Sequence, residues 1–330
     1  MNTDVLISFF KRAIVMGIPL LYGATGETIT EKSGHLNLGI PGIMYVGAIS
    51  GVIGAFLYEN ATGRNPDPVL GILIPLAACL IGSALMGLIY AFFTVSLRAN
   101  QNVTGLALTT FGVGVGNFFG GSLIKLVETD VPSISLTATS NLFRASLPFA
   151  DKLGWFGRIL LSHGFLAYVA IFIALLTAVI MRRTRTGLQL RAVGENPATA
   201  DAAGIAVERY KYSAILIGSV IAGLGGLYYI MEYTNGVWSN DAFGDRGWLA
   251  IALVIFTCWR TDIGILGAIL FGGLLIAYNY IPGLSMADLE IFKMLPYLVT
   301  IFVLILVSAR KKRETQPPES LGLSYFREDR

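Results

Sequence analysis

Long apolar runs separated by short polar breaks set the pattern of this chain. Nine apolar segments stand out, at about 5–25, 40–58, 69–93, 103–123, 165–181, 212–231, 248–259, 263–281 and 293–309. Most are about 17–25 residues long, the length at which a helix crosses a hydrocarbon core of about 30 Å. Lipid forces each span to satisfy its own backbone, so the segments are read as helices rather than open strands. The expected fold is an all-α polytopic membrane protein with about eight or nine transmembrane helices. Segment 248–259 is too short for a full crossing. Segment 5–25 is interrupted by Lys11-Arg12 and is expected to begin as an interfacial helix.

Between the fifth and sixth spans lies a different kind of sequence. Residues 187–205 (GLQLRAVGENPATADAAGI) are polar, Ala-rich and helix-compatible. Pro197 suits the first turn of a helix, where its missing N–H is not needed. Asn196 is placed to cap it, the alanines propagate it, and Gly204 ends it. Arg182, Arg183 and Arg185 precede the segment, and Arg209 and Lys211 follow it.

Charge then orients the chain. Placing the 182–211 loop inside puts Lys32, Arg98, Arg182, Arg183, Arg185, Arg191, Arg209, Lys211, Arg260, Arg310, Lys311, Lys312, Arg313, Arg327 and Arg330 inside. It leaves Arg64, Lys125, Arg144, Lys152, Arg158 and Arg246 outside. The positive-inside rule therefore predicts an outside N-terminus and an inside C-terminus. Residues 1–309 form the transmembrane domain. Residues 310–330, with Pro317-Pro318, read as a disordered cytosolic tail.

Composition sharpens the class. The chain is 54% hydrophobic and 14% charged, with a mean hydropathy of +0.67, whereas soluble domains carry about 25% charged residues. Cys79 and Cys258 fall in apolar segments and read as packing residues. No HExxH, GxSxG or Cys/His cluster occurs, and no GxxxxGK[ST] phosphate loop. The chain is therefore expected to be no enzyme, to bind no metal, to need no cofactor of its own and to leave ATP hydrolysis to another chain. Nucleic acid is not an expected partner; the lipid bilayer is.

The order of the spans suggests an inverted repeat. Spans one to four and six to nine each start with a helix, pass a Gly-containing break, and continue with three helices. The breaks are Glu27–Gly42 and Glu232–Gly247. Such repeats with broken helices place a pathway at their interface. Gly112, Gly116 and Gly120 give overlapping GxxxG patterns, a signal of close helix packing inside one subunit or between two. Asn37, Gly39 and Gly42 mark the first broken helix or the pathway beside it; Asn37 is placed either to contact a hydroxylated solute or to hydrogen-bond the broken helix, and reads mainly as structural. Asn117 and Asn279 are the candidates for lining a pathway. Glu232 reads as exposed near the outer edge, His35 reads as a local hydrogen-bonder, and the midplane reads as nearly free of Asp and Glu.

Three passages in order resemble one family: Gly26–Met44 (GETITEKSGHLNLGIPGIM), Gly187–Ile205, and Gly244–Phe256 (GDRGWLAIALVIF) with Trp259. The chain resembles a permease subunit of the ABC importers for branched-chain amino acids, ribose-type sugars and nucleosides, most of all the nucleoside and simple-sugar branch. The resemblance covers about residues 5–309. It implies alternating access driven by a cytosolic P-loop ATPase, an extracytoplasmic solute-binding protein, and a second permease subunit, identical or paralogous, in a prokaryotic cytoplasmic membrane. It also assigns ATPase coupling to the loop, with Gly187, Arg191, Gly194, Glu195, Asn196, Pro197 and Gly204. Two departures stand out: Pro41 replaces a common acidic residue, and Thr257-Cys258 replaces a common Gly before the Trp. The alternative reading is an ion-coupled secondary transporter, which the scarcity of midplane carboxylates disfavours.

Overall fold

The computed structural model describes residues 3–63, 65–127, 133–148, 150–281, 283–310 and 316–326. Of the charges used to orient the chain, Arg64, Lys311, Lys312, Arg313, Arg327 and Arg330 lie outside the described residues. Eight helical stretches among these residues are long and apolar enough to cross a membrane. They are built on α1 (Thr3–Glu31), α2 (Ile40–Ala61), α3 (Leu70–Ala91), α4 (Gln101–Val127), α7 (Phe165–Arg183), α10 (Val207–Tyr228), α12 (Thr261–Ile276) and α13 (Met286–Arg310). The remaining apolar segment, the seventh, is α11 (Arg246–Phe256), whose 11 residues extend only about 16 Å. It is a half-helix.

The remaining elements are short. The segment between α4 and α7 holds β1 (Ile134–Ser135), α5 (Thr137–Phe143) and α6 (Gly154–Leu160). The polar loop forms α8 (Arg185–Glu195) and α9 (Pro197–Ala202). After α10 the chain passes through a π-helical turn, Tyr229–Tyr233, into β2 (Val237–Trp238), which pairs antiparallel with β1.

Several expectations change here. Lys11 and Arg12 do not interrupt α1, because both side chains point outward from a continuous helix. Long basic side chains tolerate this by keeping only their stems on apolar surface. The first break shortens to 32–39 and the second to 234–245, since α1 and α10 each run on by helical turns. Cys258 sits in the turn between α11 and α12 rather than inside a span. The described part of the tail, 316–326, is ordered. It hydrogen-bonds to α8, α9, the α1–α2 turn and the start of α4, which compensates for its lack of helix or strand.

The repeat is visible in how helices cross. Gly17 of α1 packs so close to α12 that a Cβ would stand 2.3 Å from the Ala268 carbonyl oxygen, and one on Gly272 would stand 2.1 Å from that of Ala13. The same crossing recurs between α10 and α3. Gly223 meets Ser83 and Gly87 meets Ser219. Ala13 and Gly17 correspond to Ser219 and Gly223 at one constant offset. Ser83 and Gly87 correspond to Ala268 and Gly272 at another. Antiparallel α1 and α10 meet at Gly26 and Gly218, and at Pro19 and Gly225, which correspond under the first offset. Small residues let these backbones approach where no hydrophobic force drives helices together in lipid. The GxxxG stripe of α4 is used in the same way. Gly112 packs on Gly42, Gly116 on Tyr45 and Gly120 on Trp238, all within this chain.

Candidate functional site

The polar loop builds a platform at one end of the helical bundle. Thr184 caps α8, its Oγ1 accepting from Gly187 N at 3.1 Å. Asn196 both ends α8 and caps α9, accepting from Thr199 N at 2.9 Å. Pro197 opens α9, and Gly204 closes it at φ +81°, a conformation glycine adopts without a steric penalty. The residues expected to cap and start a helix do so, but the loop is two helices rather than one. The seven coupling candidates separate by environment. Gly187 and Gly194 are buried packing points, pressed against Ile180 and against Lys32 and Gly34 respectively. Arg191, Glu195, Asn196 and Gly204 are exposed, and Pro197 is half-buried.

Arg191 and Glu195 line a polar cavity of about 430 Å³ with Lys32, Arg182, Trp259, Arg260 and Asp262. Four cations face two carboxylates in this wall. Asp262 receives Arg182 at 2.7 Å and Arg260 at 3.1 Å, joining α7 to the α11–α12 turn. These pairs are partly exposed, so their contribution is small. Trp259 donates its indole N–H to Glu31, and Lys32 lies 5.8 Å from the Trp259 ring centroid. Cys258 and Trp259 both have positive φ, +52° and +56°. The turn thus needs the left-handed conformation that a glycine would supply.

The tail crosses the same platform. Ser320 gives both N and Oγ to the Gly194 carbonyl, at 3.1 and 2.5 Å. Gly322 N donates to Gly34 O, Gln101 Nε2 donates to Leu323 O, and Tyr325 OH donates to Asp201. Residues 316–326 therefore tie α8 and α9 to the α1–α2 turn and to the start of α4.

The broken helices form a second centre. Asn37 is fully buried: its backbone N donates to Glu27 Oε1 at 2.9 Å, and its Oδ1 accepts from Gly39 N at 2.9 Å. Gly39 and Gly42 pack against α4 at Leu108 and Thr109. All three hold the break together. Asn117 instead joins a cluster with Tyr45 and Asp241. Tyr45 OH donates to Asn117 Oδ1 at 2.5 Å, Asn117 Nδ2 donates to Asp241 Oδ1 at 2.8 Å, and Asp241 N donates to Tyr45 OH at 2.9 Å. Asn279 lies apart, exposed in the helical turn Ala277–Tyr280 beyond α12.

Carboxylates are not scarce inside the bundle. Glu27, Glu31, Glu59 and Glu232 are all buried. Glu232, expected at the surface, accepts from Gly164 N at 3.2 Å where the chain enters α7. Glu59 accepts from Thr139 N at 2.7 Å. Each of the four receives a donor from a break or connecting segment. That donor lowers the penalty of burying a polar group. The sequence missed them because each donor comes from elsewhere in the chain. His35 is 1% exposed. Burial first, and then Lys211, hold its imidazole down to about 3.

Comparison with known proteins gives consistent matches. A family model described as the permease component of the branched-chain amino acid transport system matches residues 9–304. The chain is 29% identical to a nucleoside ABC transporter permease protein, NupC, of Lactococcus lactis, covering 95% of each. It is 31% identical to a putative glucose ABC transporter permease protein, TsgC13, of Haloferax volcanii, over 94% of each. It is 29% identical to a guanosine ABC transporter permease protein, NupQ, of Bacillus subtilis, over 98% of each.

Proposed function

The chain belongs to the permease family of the branched-chain amino acid transport system and is a membrane-spanning permease subunit of an ABC importer; from that premise we propose that it moves a nucleoside or a simple sugar by alternating access. Nucleoside and glucose permeases are both among its relatives. We place it in a prokaryotic cytoplasmic membrane with the α8–α9 face and the C-terminus in the cytosol. A separate P-loop ATPase seats on that face, a second permease subunit completes the pathway, and an extracytoplasmic binding protein delivers the solute at the other end.

The observation that carries this reading is the two-sidedness of the loop. One side is pinned: Gly194 touches the α1–α2 turn and receives the tail. The other side, with Arg191, Asn196 and the start of α9, is exposed, and Glu195 stands at the boundary, where it accepts from Glu319 N of the tail at 3.4 Å. A partner that moves the exposed side thereby displaces the turn leading into the first break. ATP binding supplies the differential stabilisation of two states that such a displacement requires.

The test is purification from native membranes in mild detergent. A stoichiometric P-loop ATPase is expected with the chain, reduced at least tenfold when Arg191→Glu and Glu195→Arg are combined. Retention of the ATPase by the double variant places the seat elsewhere. Absence of any ATPase from the unaltered protein contradicts the reading itself.

A further inference from the structure

We propose that Asp241, held by Asn117 and Tyr45, is a station for an uncharged solute bearing neighbouring hydroxyl groups, inside a water-filled pathway along the open face of α4. The proposal deepens the importer reading and rests on it.

Depth is the first argument. Asn117 stands about 24 Å along α4 from Gln101, in a helix of 27 residues and about 40 Å. Its bond to Asp241 therefore brings a carboxylate well inside the span. Asp241 is nevertheless exposed. An exposed ionisable group at that depth faces water or protein, because hydrocarbon penalises it heavily.

Rigidity is the second. Asp241 adopts φ +56°, a left-handed conformation that aspartate tolerates better than most non-glycine residues. Its N and Oδ1 are both committed, to Tyr45 and Asn117. The rest of the segment is clamped as well: Tyr229 OH donates to Ala242 O, and Arg246 Nη1 donates to Phe243 O. Arg246 lies over the Tyr229 ring, and no ion pair between it and Asp241 is present among the described residues. Oδ2 of Asp241 has no hydrogen bond among the described residues. A carboxylate oxygen carries two lone-pair sites and accepts from two adjacent hydroxyls. Ribose and hexose rings both present such pairs. Trp238 adds an unmet donor: its buried indole N–H has no partner among the described residues and lies over Gly120 beside Asn240 Oδ1.

The face around the cluster is the third. Thr110, Gly114, Asn117 and Gly121 follow a helical spacing and form one small, polar stripe. A Cβ on Gly114 would meet nothing within 4 Å, unlike the neighbouring packed stripe through Gly112, Gly116 and Gly120. One glycine stripe of α4 thus holds the fold together, and the other lines open space.

The experiment uses the whole complex in proteoliposomes, with Cys258→Gly to remove the accessible thiol; Cys79 is buried and stays. Gly114→Cys and Gly121→Cys are labelled with a membrane-impermeant methanethiosulfonate, with and without uridine or glucose. Labelling of both, slowed at least threefold by one of these solutes, is expected. Adding Asp241→Asn, which keeps the acceptor for Asn117 and removes the free carboxylate oxygen, should leave the labelling rate intact and abolish the protection. Labelling only by a lipid-soluble maleimide overturns the proposal, since the face then lies in lipid or under a second subunit. Protection that survives Asp241→Asn also overturns it, as does labelling that no solute slows while uptake proceeds. Uptake of both solutes is measured in the same vesicles. Failure to take up either one sinks the importer reading for these solutes, whereas uptake without protection sinks this proposal alone.

Discussion

Gly247 opens α11 against Pro41, which opens α2; a Cβ on Gly247 would stand 2.4 Å from the proline Cα. The two residues correspond under the offset that relates Ala13 to Ser219 and Gly17 to Gly223. Their contact therefore sits on the pseudo-two-fold axis, where the two broken helices begin. Anything larger than glycine at 247 pushes the breaks apart. Gly247→Ala is expected to destabilise by about 1–3 kcal/mol, as overpacking does, and to reduce uptake. Gly114→Ala, with open space around it, is the control that keeps or slightly raises the thermal midpoint, since alanine is the better helix former. Equal midpoints for both variants in a detergent melt would contradict the placement of the axis.

The α11–α12 turn predicts a stabilising change. Cys258 has φ +52°. A non-glycine residue in the left-handed region costs about 1–2 kcal/mol, of which glycine's extra unfolded-state freedom returns about half. Cys258→Gly should therefore raise the thermal midpoint by about 1–2 °C. A fall in midpoint would mean that the thiol makes a contact outweighing the strain.

Ordering of the tail predicts a change in loop dynamics. Ser320→Ala removes one hydroxyl bond to Gly194, a loss of about 0.5–1.5 kcal/mol. Truncation after Thr315 removes the whole strap. Amide hydrogen exchange in α8 and α9 should rise modestly in the first variant and by more than tenfold in the second. Unchanged exchange would show that the loop is held by Lys32 and Gly34 alone.

His35 predicts an acid-side loss of stability. Burial depresses its pKa from 6.5 to about 3. Between these values the unfolded chain binds a proton that the folded chain excludes, so stability rises with pH through that window and levels off above it. His35→Asn should flatten the dependence when midpoints are compared at about pH 5 and about pH 7.5. An unchanged slope would assign it to other groups.

The helices were legible because lipid makes hydrophobic length decisive. Even the half-helix α11 announced itself as a run too short to cross. The caps of the loop were legible because Asn196, Pro197 and Gly204 act on their own backbone neighbours. What was hidden depends on distant partners. Glu232 reads as a surface residue until Gly164 is brought to it. Asp241 falls in the second break, and nothing in its local sequence singles it out before the chain folds back to Asn117. The tail lacks periodicity and reads as disordered, yet Gly34 and Gly194 supply the bonds that order it. Asn117 could be singled out as polar within a span, and Asn279 could not be told from it without the bundle.

The central claim is that this chain transports by the work of a separate ATPase. The most direct test reconstitutes the purified complex in liposomes and measures uptake of uridine or glucose with ATP supplied to the ATPase side, with and without a protonophore. The account predicts uptake that requires ATP, survives the protonophore and stops when the ATPase is removed. Uptake by the chain alone under an ion gradient, abolished by the protonophore, would contradict it.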